Sequence, residues 1–158
     1  MAVSFQHKRG TRAQIASAAA QSQLKVGEIY FMTDEQRPVI ATASNAYQSI
    51  FSSTMSVSVS GKPANGEIVG CAIFPLACVL TAGNCSAQAI TAATASTVFT
   101  IKNKTSGSTV GTITFAAGAT LATISITSAS IAANTMLYIE APATADAALA
   151  NIAFVVRA

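Results

Sequence analysis

From Gly66 onward the chain is written in period two, and that pattern restricts it to sheets. In residues 97–103, Phe99 and Ile101 fall on one side and Val98 and Thr100 on the other. Residues 109–115 repeat this, with Ile113 and Phe115 opposite Thr112 and Thr114. Side chains alternate across a strand, so each segment has one apolar face to bury and one hydroxyl-bearing face to leave outside. Further strands are predicted over residues 67–74, 75–84, 121–127, 135–140 and 151–157, with turns at Gly83-Asn84, at Lys102 to Gly107 and at Gly118. Short strands at this spacing pack as a β-sandwich. A jelly-roll form is expected, because small outer side chains let a second subunit approach closely.

The first 52 residues form a different module. The first fifty hold eight of the fifteen charges, the single histidine and two of the three tyrosines. Residues 3–7 alternate as a short strand that Gly10 ends. Thr11 and Gln14 have the spacing of a capping box, in which the threonine hydroxyl takes an orphan backbone N–H and the glutamine reaches back to the cap. The Ala-rich run behind them predicts a helix over residues 12–21 whose apolar stripe is Ile15, Ala18, Ala19 and Leu24. A hairpin follows, with strands over residues 28–32 and 38–42 and Pro38 at the mouth of the returning strand. Residues 45–53 are ambiguous between helix and strand. The segment 53–65, rich in Ser and carrying Gly61, Pro63 and Asn65, reads as a linker or an edge strand, which leaves 66–158 as the sandwich domain.

Charge is scarce, at 9% of residues. An ordinary soluble domain carries roughly 25%. A net charge of +3 solvates a free monomer poorly, so much of the exterior is expected to be covered by neighbouring subunits. No apolar stretch reaches the ~20 residues of a membrane span, and no signal peptide is recognisable, so no membrane partner and no export are expected. Cys71, Cys78 and Cys85 are odd in number and read as reduced, small core residues.

The residues for catalysis are sparse. His7 is the one imidazole, no GxSxG elbow presents a serine, and the best pair of carboxylates, Glu140 with Asp146, flanks a loop where such groups usually accept backbone N–H bonds. Neither an enzyme, a cofactor nor a metal site is expected. The basic cluster Lys8, Arg9 and Arg12 lacks the interleaved aromatics of a nucleic-acid surface, so it is expected to meet acids of a protein partner instead.

The order KRGTRAQ (residues 8–14), an Ala-rich helix, VGEIY (26–30), TDEQRPV (33–39) and AYQS (46–49) resembles the N-terminal module of phage tropism-determinant and tail-fibre-like proteins. That resemblance implies a compact unit that trimerises and attaches the protein to a particle. The segments VFTIKN, GTITFAAGAT and APATADA followed by LANIAF are similar, more loosely, to a domain of phage head-decoration and head-fibre proteins. The implied protein is a virion component made in the host cytoplasm. It would be a capsid decoration or head fibre bound as a homotrimer to the major capsid protein or another virion protein. The alternative is a tail-fibre or carbohydrate-binding appendage that grips a host surface glycan through loops at residues 103–109 and 141–150. Its docking surface is expected to take apolar area from Val3, Phe5, Ile29, Phe31, Val39 and Ile40, with Lys8, Arg9, Arg12 and Arg37 fixing orientation.

Overall fold

A computed structural model describes residues 8–34, 37–50 and 53–158. The chain is mainly β and forms two compact units, Met1–Ser52 and Ser53–Ala158. The strand expected over residues 3–7 lies outside the described residues.

In the first unit, β1 (Lys8–Gly10) leads through α1 (Arg12–Ala20) to β2 (Ile29–Met32), β3 (Arg37–Ala43) and β4 (Ala46–Ser49). The sheet order is β1-β2-β3-β4, with β1 parallel to β2 and the remaining pairs antiparallel. Parallel neighbours need a crossover, and α1 is that crossover. Its start is fixed by the capping box: Thr11 Oγ1 accepts from Gln14 N–H at 3.3 Å, and Gln14 Oε1 accepts from Thr11 N–H at 2.9 Å. The Asp34 carboxylate, from the hairpin turn, accepts the Arg12 N–H through both oxygens at 3.0 and 3.1 Å. A negative group at the positive end of a helix is favourable. The connection back to β2 turns at Gly27, whose φ is +81°. That left-handed conformation is the one glycine adopts most cheaply. Ile15, Ala19 and Leu24 bury against Tyr30, Met32, Val39 and Ala41 of the sheet. One helix covers one face.

The second unit contains β5 (Thr54–Val59), β6 (Ile68–Phe74), β7 (Cys78–Val79), β8 (Ser86–Thr91), β9 (Thr97–Asn103), β10 (Thr109–Phe115), β11 (Thr123–Ile126), β12 (Ser130–Ile131), β13 (Thr135–Glu140) and β14 (Ala150–Arg157). A five-stranded sheet, β11-β10-β9-β13-β6, and a three-stranded sheet, β5-β14-β8, turn their apolar faces to one core. Phe99 is edge-on to Phe154 of the other sheet at 5.1 Å and to Phe115 at 6.1 Å. The chain passes between these two sheets at β5–β6, from β6 through β7 to β8, at β8–β9 and at β13–β14, whereas β9, β10 and β11 stay in one sheet as a meander. Both flanks of the sandwich are drawn together. On one, Ala89 and Ala122 N–H groups bond Thr120 and Ala87 carbonyls, tying β8 to the segment that enters β11. On the other, β6 comes so close to β5 that a Cβ at Gly70 would collide with both γ-methyl groups of Val57.

The structure departs from the sequence-based expectation at three places. Residues 75–84 are not a full strand: only Cys78–Val79 pairs, with β12, and Ala82–Asn84 is a 3₁₀ turn, because Pro75 and Gly83 interrupt the ladder. β8 escaped the period-two reading because its inward residues, Ala87 and Ala89, are too small to mark an apolar face. Cys71 is exposed, not core, since alternation along β6 turns it outward beside Ile73; none of the three cysteines forms a disulfide. Residues 53–65 do contain an edge strand, β5, paired with β14 from Met55↔Val156 to Val59↔Ile152.

Candidate functional site

Among the described residues, nothing of the first unit covers the sheet face opposite α1. Alternation decides who stands there. Tyr30 and Met32 point to the helix, so Ile29 and Phe31 point away; Val39 and Ala41 point to the helix, so Pro38 and Ile40 point away. Register then gathers them: Phe31 pairs with Pro38, Ile29 with Ile40, and Arg9 on β1 with Phe31. Ile50 joins from beyond β4, its N–H bonded to the Pro38 carbonyl at 3.3 Å. Arg9, Ile29, Phe31, Thr33, Pro38 and Ile50 line a shallow depression of about 500 Å³. Ile29 is 36% and Ile50 44% exposed.

The charged residues expected beside this surface separate into different settings. Arg9 is exposed at the rim of the depression. Lys8 lies on the other side of β1, where its ammonium pairs with Glu28 at 3.0 Å and sits 5.6 Å from the Tyr30 ring centroid. Tyr30 in turn donates its hydroxyl to Glu28 at 2.5 Å. The Tyr30 hydroxyl first, and Lys8 second, hold the Glu28 carboxyl below its usual range; the bond to Glu28 raises Lys8. This cluster ties β1 to β2 and faces away from the depression. Arg12 is partly buried at the helix start, and Arg37 is only 9% exposed on the helix side of β3. Val39, at 1% exposure, belongs to the unit's own core, because it follows Pro38 and therefore takes the opposite face. Val3 and Phe5 lie outside the described residues.

Of the residues predicted for docking, the open face thus unites Arg9, Ile29, Phe31 and Ile40, and it adds Thr33, Pro38 and Ile50. Pro38 was legible as a strand residue but carries no periodic signal of its own, and Ile50 lay in the ambiguous segment.

The second unit engages its acids internally. Asp146 accepts N–H bonds from Thr94, Ala95, Ala148 and Leu149 at 2.8–3.0 Å, together with the Thr94 hydroxyl at 2.8 Å. Desolvation opposes its charge, but these donors prevail and hold its carboxyl far below the usual range. Glu140 pairs with Lys102 on the neighbouring strand. Neither carboxylate is turned to a shared cleft. The loop at residues 103–109 is an Asx turn, with Asn103 Oδ1 accepting from Thr105 and Ser106. The loop at 141–150 is pinned by Asp146, by Asn65 Oδ1 accepting from Ala145 N–H, and by Lys62 Nζ on the Ala147 carbonyl. The polar groups named in both loops are thus engaged within the unit.

Among the described residues no group of three His, Cys, Asp or Glu side chains is placed to hold a metal ion, and no helix is long and apolar enough to cross a membrane. No family model, curated protein or solved structure matches this chain.

Proposed function

We propose that this chain is a bacteriophage virion structural protein without catalytic activity, a capsid decoration or head-fibre protein that binds its particle as a homotrimer and docks through the open face of the N-terminal sheet. The observation that carries the reading is that face: Ile29, Phe31, Pro38, Ile40 and Ile50 gathered opposite the helix and left without cover by the described residues of their own unit. Contiguous apolar surface of this kind marks an interaction site more often than it marks a free exterior. Each square ångström removed from water on docking contributes roughly 25 cal/mol before the entropy of association is subtracted.

Two further features support the assignment. Charge is too sparse to solvate an isolated chain well. The sandwich also carries Ile90 at 80% and Leu121 at 65% exposure, positions that neighbouring subunits would cover. The trimer and the virion rest on the resemblance of residues 8–49 to phage attachment modules. The test is Phe31→Asp, which places a charge in the middle of the face without touching the helix-side core. The variant is expected to fold and to be lost from purified particles of the encoding phage. Retention at wild-type occupancy would refute docking through this face.

A further inference from the structure

The open face carries one cation among the described residues, and its setting specifies the chemistry of what covers it. Arg9 stands at the rim of the depression, in register with Phe31. Among the described residues it has no ion-pair partner. The described acids nearest in the fold are committed elsewhere: Glu28 to Tyr30 and Lys8 on the helix side, and Asp34 to the Arg12 N–H at the helix start. A guanidinium that loses water in an interface without a counter-charge is costly, so the occupant must bring the acceptor. A second copy of this chain, in a two-fold or a three-fold arrangement, brings no uncommitted side-chain carboxylate among its described residues, because Glu67, Glu140 and Asp146 are also engaged within their own unit. The remaining wall is apolar, from Ile29, Phe31, Pro38 and Ile50, with the Thr33 hydroxyl as a further polar group.

Resting on the docking role proposed above, we infer that the face receives an extended segment of another virion protein in which a carboxylate stands two positions from an apolar residue, so that both point to the same side, and that Arg9 receives the carboxylate. The dimensions agree. Arg9 on β1 and Pro38 on β3 are two strand spacings apart. Strands lie about 4.8 Å from one another, which puts roughly 10 Å between the two residues. Same-face side chains of an extended segment recur about every 7 Å, which lets an acid reach the rim while the apolar side chain two positions away enters the depression. The fork of the guanidinium matches a carboxylate in two parallel bonds, giving direction to an otherwise greasy contact.

The experiment titrates the full chain, with isotope-labelled isoleucine methyl groups, using two blocked hexapeptides: one with leucine and aspartate two positions apart and serine between them (Leu-Ser-Asp-Ser-Leu-Ser), the other with asparagine in place of the aspartate. The aspartate peptide is expected to shift the methyl signals of Ile29, Ile40 and Ile50 saturably. Replacing aspartate by asparagine, or Arg9→Gln in the protein, should each weaken binding about tenfold or more, as loss of a charge-assisted pair does. Lys8→Gln removes an equal charge from the opposite side and should leave the affinity within about twofold, which separates a local contact from general attraction. Equal affinity for the two peptides overturns the inference while leaving apolar docking intact. An absence of saturable shifts with either peptide also overturns it, and the docking role is then judged separately by whether Phe31→Asp leaves the particle.

Discussion

Val39 and Ile40 are adjacent on one strand and point to opposite faces, so the same truncation at each should separate folding from docking. Val39 is fully buried against α1. Val39→Ala removes two methyl groups worth about 0.8 kcal/mol each, and the void left between helix and sheet adds about another 1 kcal/mol, so a loss of roughly 2–3 kcal/mol is expected. In a unit of some fifty residues that is a large share of the total stability. Ile40 is half-exposed and lies opposite the helix. Ile40→Ala removes more carbon than Val39→Ala, but from this open position, and should cost about 1 kcal/mol or less. Amide hydrogen exchange at Tyr30 and Met32, central in the sheet, reads the stability of this unit alone. Co-sedimentation with particles reads docking. Val39→Ala should speed exchange and retain binding in proportion to its folded fraction, while Ile40→Ala should leave exchange nearly unchanged and weaken binding. If Ile40→Ala destabilises the unit as much as Val39→Ala, the face assigned to docking is part of the core and the reasoning fails.

Three other outcomes follow from the second unit. A Cβ at Gly70 would collide with the stiff, branched Val57 side chain. Gly70→Ala should therefore destabilise the sandwich by about 1–3 kcal/mol in urea denaturation, and adding Val57→Ala should recover part of the loss; an unchanged midpoint in the single variant would contradict the close approach of β5 and β6. Because the folded-state pKa of Asp146 is depressed, its contribution is fully present above the ordinary carboxylate range and is lost as pH falls through that range toward the folded value. Asp146→Asn should therefore lower the melting temperature at neutral pH and flatten its decline in acid; parallel acid profiles for variant and wild type would count against the latch. Phe154 is a fully buried ring packed edge-on against Phe99, whereas Ile90 stands on the outer face. Phe154→Ala should cost about 3–5 kcal/mol in the same denaturation assay. Ile90→Ser should change stability by no more than about 0.5 kcal/mol.

The parts of this fold that could be read from sequence are those whose side chains are large enough to make alternation visible. Phe99 with Ile101, Ile113 with Phe115 and Leu137 with Ile139 mark their strands unmistakably, and each is fully buried. β8 was silent because alanine fills its inward positions, and β7 with β12 make only a two-residue pairing that no periodicity can announce. The capping box was legible because two side chains at fixed spacing satisfy two backbone groups reciprocally, a local event independent of tertiary context. The docking surface was half legible. Composition along β2 and β3 flagged apolar residues, but which of them face out depends on where the helix crosses. Without the helix position Val39 and Ile40 are equivalent apolar neighbours, and Arg37 reads as a surface charge although alternation places it with Val39. The partner of Arg9 could not be sought in sequence at all, since it required knowing that Glu28 and Asp34 are both occupied.

The most direct measurement of the central claim is quantitative mass spectrometry of this chain in purified, infectious particles. The account predicts a stoichiometric virion component, with copies in multiples of three and numbering in the hundreds for a capsid decoration, sharply reduced in the Phe31→Asp variant. A chain absent from washed particles, purified instead as a stable monomer with no affinity for them, would contradict it.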